Sequence, residues 1–169
     1  MNSVIGKKIV IVGCPGSGKS MLARRLHERT GLPVVHLDNV FWKPDKTHIS
    51  KEEFDNKLAE LLKADEWILD GNYSRTLKVR LERADTVIVL DYPLDVCIAG
   101  AKARVGTKRD DLPWVEEEFD KEFEEWIKDF PTTEMPKVYG ILQEFGKDKN
   151  IYVFRSREEA DAWLENLKL

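Results

Sequence analysis

The apolar positions divide the chain into five short runs and four longer periodic stretches. The runs are KIVIV at 8–12, PVVHL at 33–37, WIL at 67–69, TVIVL at 86–90 and IYVF at 151–154. The first, fourth and fifth are almost continuously apolar and rich in β-branched residues, the pattern of strands buried on both faces of a parallel sheet. Between the runs the period becomes helical. Residues 19–30 place Leu22 and Leu26 on one face, and 51–63 place Phe54, Leu58, Leu61 and Leu62 on another. Residues 115–130 carry Val115, Phe119, Phe123, Trp126, Ile127 and Phe130 on one stripe, with acids opposite. The last stretch, about 157–167, carries Ala160, Trp163, Leu164 and Leu167. Stripes at this spacing are expected to be core.

Strand alternating with helix predicts a doubly wound α/β fold. Repeats, linkers and low-complexity tracts are absent, so one domain over 1–169 is expected. Two polar stretches rich in turn residues break the alternation: 39–66, containing NVFWKPDKTHIS, and 102–114, KARVGTKRDDLPW. They are expected to be moving flaps, an acceptor-side insertion and a lid.

The first run leads directly into GCPGSGKS at 13–20, followed by a helical pattern. This is G-x-x-x-x-G-K-S in its confirming context, after a strand and before a helix. Gly13, Gly16 and Gly18 permit the backbone angles that turn successive N–H groups inward. The helix start adds its positive dipole end. Lys19 reaches the β- and γ-phosphates of a nucleotide, and the Ser20 hydroxyl ligates Mg²⁺. The expected nucleotide site is therefore Gly13, Cys14, Pro15, Gly16, Ser17, Gly18, Lys19, Ser20 and Met21, with ATP and Mg²⁺ as ligands. Cys14 reads as a small filler that contributes its backbone.

Ligands of open α/β sheets bind beyond the carboxyl ends of the strands. Asp38, Asp70 and Asp91 follow the second, third and fourth runs, and Arg155–Ser156 follows the fifth. Asp70 suits a metal, directly or through water, or it caps a turn. Asp38 suits acceptance of a substrate hydroxyl proton or of a metal-bound water. Asp91, in DYPLD, reads as a helix cap. Arg75 either clamps an anionic acceptor or forms a surface ion pair. Tyr73, Phe41 and Trp42 line an acceptor pocket or pack a flap. In the lid, Arg104 and Arg109 lead the basic cluster as groups that close over transferring phosphates. His27, His36 and His48 have no metal-ligand spacing, and there is no N-K-x-D guanine reader.

Composition narrows the setting. Hydrophobic residues at 42% and charged residues at 34% are an ordinary soluble balance. The net charge of -4 counts against nucleic acid as a partner. Cys14 and Cys97 form no CxxC pair, the N-terminal stretch lacks a signal-peptide core, and no apolar run reaches membrane-span length. Cytoplasm is the expected compartment, with monomer and homodimer both open.

GCPGSGKS, LPVVHLDNVFWKP, ILDGNYSRTL, RADTVIVLDYP and VFRSREEADAWL together resemble the adenylate-kinase-related topology modulation proteins (FlaR), a family of P-loop kinases. The resemblance covers nearly the whole chain. It implies a three-layer P-loop NTPase fold of nucleoside- or nucleotide-kinase type, with a five-stranded parallel sheet in the order 2-3-1-4-5. It also implies ATP and Mg²⁺, lid positions for Arg104 and Arg109, and an adenine-side position for Arg155 and Ser156. Two stretches depart from adenylate kinases. DGNYSRT is one residue longer than D-G-F-P-R-T, and RVGTKRDD differs from R-x-x-G-R. Both fall where AMP and the transferring phosphate would sit, so AMP is not carried over as acceptor. The expected function is ATP-dependent phosphoryl transfer to a small, nucleoside- or nucleotide-like acceptor held by Asp38, Trp42, Asp70, Tyr73 and Arg75. The alternative is an ATP-binding regulatory or DNA-topology-associated protein.

Overall fold

The computed structural model describes residues 5–168, so the first four residues of the N-terminal stretch and Leu169 lie outside it. Five strands form one sheet: β1 (Lys8–Gly13), β2 (Val34–His36), β3 (Trp67–Asp70), β4 (Thr86–Leu90) and β5 (Asn150–Phe154). Their order is β2-β3-β1-β4-β5 and every neighbouring pair is parallel. Helices α1 (Lys19–Thr30), α2 (Leu37–Phe41), α3 (Lys51–Leu62), α4 (Ser74–Arg83), α5 (Leu94–Ala103), α6 (Lys121–Phe145) and α7 (Arg157–Glu165) cover and flank it.

Parallel pairing collects all the strand carboxyl ends at one side, and the register fixes which residues meet there. Asp70 lies beside Ile11 on one side and His36 on the other, while Gly13 lies beside Leu90. The central strands β1, β3 and β4 are buried on both faces, as the runs of β1 and β4 predict, and the short run of β3 joins them. β5 corrects that expectation. It is an edge strand, with Asn150 and Ile151 exposed, because no sixth strand covers its outer side.

The third periodic stretch also differs from expectation. The helix starts at Lys121 rather than at 115, where Asp120 accepts the Glu122 N–H at 3.1 Å. It then runs on through Pro131 and Pro136 to Phe145. Val115 and Phe119 precede it. The extension holds because Met135, Val138 and Leu142 continue the buried face against α4 and α5. Between α5 and α6 the chain forms turns, closed by the Gly106 N–H donating to Glu116 O at 2.6 Å. The 39–66 stretch folds as the end of α2, an antiparallel bridge between Trp42 and His48, and α3. Among the described residues, no helix is long and apolar enough to cross a membrane.

Candidate active site

β1 delivers the chain into the loop at 13–18, where Gly16 (φ +85°) and Gly18 (φ +98°) take the left-handed conformations that side chains resist. Two outside contacts anchor the loop and one internal bond closes it. The Gly13 N–H donates to Asn72 Oδ1 at 3.0 Å, the Ser17 N–H to Cys14 O at 3.1 Å, and Arg157 donates to Gly16 O at 3.2 Å. Beneath it lies α5. A Cβ on Gly16 would meet Cys97 O at 2.0 Å, and one on Gly100 would meet Gly16 O at 2.0 Å. Around a Gly18 Cβ there is open space. The loop thus has one face pressed on backbone and one free face, the form of an anion cradle. Cys14 and Cys97 are both buried and unoxidised. The neighbouring Cys97 thiol, together with burial, holds the Cys14 thiol above its ordinary pKa, while Cys97 Sγ itself points to Tyr92 O at 3.8 Å.

The contact between Gly16 and Gly100 makes a sharp prediction. Gly100→Ala forces a methyl against a backbone oxygen, so the loop or α5 must shift. The expected loss is about 1–3 kcal/mol of stability, read as a lower urea midpoint, with weakened ATP binding measured by calorimetry.

A cleft of about 1350 Å³ opens over the strand ends. Pro15, Lys19 and Ser20 line it from the loop and α1, Asp38 and Trp42 from the insertion, and Asp70, Tyr73 and Arg75 from the β3–α4 segment. Arg104 and Arg109 line it from the lid. Met21 is mostly exposed on α1 and does not line it. One ring contact and one polar contact, Trp42–Trp114 and Asn39–Asp110, join the two flaps, while a stack inside the insertion and an ion pair from α1 to the lid support them. Trp42 meets Trp114 edge-on at 5.6 Å and Phe41 stacks on His48 at 4.6 Å. Asn39 donates to Asp110 O at 2.5 Å and Arg24 pairs with the Asp110 carboxylate at 2.7 Å.

Asp70 is buried, and one of its oxygens, Oδ2, meets His36 Nδ1 at 2.7 Å. Burial alone would lower the His36 pKa, but the Asp70 carboxylate outweighs it and holds the imidazole above its ordinary value. Asp38 accepts the Tyr73 hydroxyl at 2.6 Å. Burial raises the Asp38 pKa above the usual carboxylate range, against the opposing pull of Tyr73 and Lys19. Such a carboxyl takes up a proton more readily than a free one. Arg75 is half-exposed and makes a two-pronged pair with Asp55 of α3, at 3.0 and 2.9 Å.

The lid arginines differ from each other. Arg109 is held between the Asp111 carboxylate, at 3.0 and 2.7 Å, and Glu116. The Asp111 hydrogen bonds outweigh burial and keep its pKa above the ordinary arginine value. The Arg104 Nε is buried without a partner among the described residues. Burial, and then the nearby Arg109 charge, lower the Arg104 pKa. An unsatisfied buried donor at a cleft is the kind of group that an incoming anion would satisfy.

At the β4–β5 side, Asp91 accepts from Tyr139 at 2.5 Å and from Arg155 at 3.0 Å. It does not cap α5, whose N-cap is Pro93. A side chain reaching to β5 and α6 takes the place of the local cap because Pro93 already sets the first turn. Ser156 caps α7 by accepting the Glu159 N–H at 3.2 Å.

Four residues that touch this machinery have no role in the reading of the sequence alone. Asn72 tethers the loop, His36 pairs with Asp70, Arg157 holds Gly16, and Arg80 lies buried under the β3–α4 turn. A signal existed for Arg80. It shares the buried face of α4 with Thr76, Leu77 and Leu81, where an arginine is out of pattern. For metals, no group of three or more His, Cys, Asp or Glu among the described residues is arranged to hold an ion. Ser20 and Asp70 are oxygen donors, and a sparse oxygen set fits Mg²⁺ bound mainly through phosphates and water.

Residues 9–125 match the family model described as an AAA domain. Over 94 residues the chain is 31% identical to the adenylate kinase of Thermotoga neapolitana and 32% identical to that of Thermotoga maritima. These matches cover 54% of this chain and 42% of each relative, so the chain matches less than half of their length. Among solved structures, shikimate kinase from Acinetobacter baumannii in complex with shikimate superposes with a TM-score of 0.61 at 16% identity, covering 94% of this chain and 91% of that one. Shikimate kinase from Bacteroides thetaiotaomicron gives 0.57 at 15% identity, with 93% of both chains covered. Likeness at such low identity concerns the fold, which is that of P-loop kinases. The match over 9–125, together with the 2-3-1-4-5 sheet and the strand–loop–helix at its centre, shows that the chain belongs to the AAA domain family.

Proposed function

We propose that the chain is an ATP-dependent phosphotransferase that moves the γ-phosphate to a hydroxyl of a small, nucleoside- or nucleotide-like acceptor. The observation that carries this reading is the single cleft in which Lys19 and Ser20 face Asp38, Arg104 and Arg109. Phosphoryl transfer is mainly positioning and charge neutralisation, and the cleft brings together groups for both. The loop amides and Lys19 hold the phosphate tail. Lys19 and Arg104 offset the charge that builds on the transferring group. Ser20 and Asp70 would hold Mg²⁺, which when bound would supply positive charge against the phosphates. Asp38 accepts the proton that the acceptor hydroxyl releases, with one oxygen fixed by Tyr73. Trp42 and Tyr73 form the acceptor wall. Arg75 reaches an anionic acceptor only by leaving Asp55. Arg155 and Ser156 border the adenine side.

The finer affiliation, with the topology modulation proteins, rests on HLD…WKP and DGNYSRTL. A cytoplasmic setting belongs to the same reading, from two cysteines that form no CxxC pair. A coupled assay of ADP release across nucleosides, nucleotides and small sugars tests the reading. Acceptor-stimulated turnover supports it. ATP binding that alters DNA affinity, with no acceptor raising turnover, would favour the regulatory alternative. Arg109→Ala is expected to lower kcat more than it raises KM, because its contact with phosphate requires release from Asp111 and Glu116 and forms late. An unchanged kcat would remove Arg109 from the catalytic set.

A further inference from the structure

We propose that Arg80 is a positioning residue whose buried guanidinium shapes the 71–73 turn and thereby aims Asp38 and the first amide of the phosphate loop together. The part played by Asp38 rests on the phosphotransferase reading above.

Arg80 has no exposed surface. Its guanidinium donates to Thr76 Oγ1 at 3.2 Å, to Gly71 O at 2.9 Å, to Tyr73 O at 3.1 Å and to Asn72 O. None of these partners is a carboxylate. Burial lowers its pKa to about 10, so it still carries its charge at neutral pH. A buried cation without a bonded counter-charge is a poor way to fill a core, where an apolar side chain of similar volume would serve better. Its geometry serves something else: a fork of donors collects three consecutive carbonyls that turn inward. Those carbonyls belong to a strained turn. Tyr73 sits at φ 36°, a left-handed conformation uncommon for an aromatic residue.

The turn sends its two side chains to opposite halves of the site. Asn72 Oδ1 accepts the Gly13 N–H at 3.0 Å, on the phosphate side. The Tyr73 hydroxyl donates to Asp38 at 2.6 Å, on the acceptor side. The Tyr73 ring is fixed on its way there by Phe54, at 4.9 Å, and Phe41, at 5.5 Å. Other charges facing Asp38 are Lys19 from α1, Asp70 from β3, and Arg104, Arg109 and Asp111 from the lid. None of these is bonded to Arg80; Asp70 acts on it through its charge, and Arg80→Lys keeps the positive charge there, so the background changes little. One guanidinium thus sets two contacts that belong to different substrates.

Three variants test this in the protein without nucleotide: Tyr73→Phe, Arg80→Lys and Thr76→Val. The readouts are the NMR titration of the Asp38 carboxyl and the chemical shift of the Gly13 amide, with melting temperature recorded beside them. Tyr73→Phe should move the Asp38 titration upward and leave the Gly13 amide in place. Arg80→Lys should shift both, because a single ammonium cannot reproduce the fork. Thr76→Val removes at nearly constant volume one acceptor of the guanidinium and the hydroxyl's own bond to Tyr73 O at 3.0 Å, and should shift both in the same sense, by less. In acceptor-stimulated turnover, Arg80→Lys should cost about 100-fold in kcat, the scale of an ångström's misplacement. The proposal is overturned if Arg80→Lys lowers only the melting temperature and leaves both signals unchanged. Should Arg80→Lys not fold, unchanged signals in Thr76→Val overturn it equally. Failure of the phosphotransferase reading would show separately, as wild-type protein whose ADP release no acceptor stimulates.

Discussion

Lys19→Ala is expected to abolish acceptor-stimulated ADP release, with a loss of about 10²–10³-fold or more in kcat/KM. That is the scale reached when one preorganised charge-stabilising group is removed from a water-poor site. Lys19 is the cation at the start of α1, where the helix dipole and the loop amides already favour an anion. Its side chain has no ion-pair partner among the described residues, so truncation breaks no pair and removes a longer-range attraction that lowers the Asp38 pKa. Melting temperature should therefore change little while activity disappears. Wild-type turnover in Lys19→Ala would show that the phosphate does not bind at this loop.

Asp38→Asn should be as damaging, by a different route. The amide keeps the shape and can still accept the Tyr73 hydroxyl, but it cannot take a proton. The expected loss is about 10²–10⁴-fold in kcat, with ATP affinity kept. The pH profile is the stricter check. Burial raises the Asp38 pKa, so the wild-type rate should climb with pH along a limb lying above the usual carboxylate range, and the limb should vanish in Asp38→Asn. Stability moves in the other sense. A carboxyl whose folded pKa is raised binds its proton more tightly folded than unfolded, so its contribution falls as pH rises through that window. At neutral pH Asp38→Asn should thus melt at the same temperature or higher. Lost activity with unchanged or raised stability separates chemistry from misfolding. A substantial drop in melting temperature would mark Asp38 as structural.

The strands were legible where burial made them continuous. β1, β3 and β4 lie in the middle of the sheet, where the interior of each strand is apolar and the polar residues Lys8, Asp70 and Thr86 stand at strand ends. β5 has a similar composition yet lies at an edge, since Ile and Val favour a pleated surface whether one face is covered or two. The helix after the lid was placed too early because Val115 and Phe119 happen to extend its spacing. Asp120 as N-cap is the better local signal, and Ser50 and Ser156 mark their helices in the same way. The phosphate loop was legible because its chemistry depends on backbone and on glycines at fixed offsets. Arg75 was not resolved by its surroundings in the chain, since its partner Asp55 comes from a helix that only folding brings near. The same holds for Arg80, whose acceptors are backbone carbonyls, and for Gly100, whose importance is a distance to Gly16. The spacing of α4 marks Arg80 as out of pattern on a buried face, but neither spacing nor charge identifies the partners of Arg75, Arg80 or Gly100.

Titration calorimetry with ATP and Mg²⁺ is the most direct measurement on the phosphate loop. A saturable heat with one site per chain is expected in the wild-type protein, and strong weakening in Lys19→Ala. No heat and no saturation, or binding indifferent to Lys19, would contradict a nucleotide held by Gly13–Ser20.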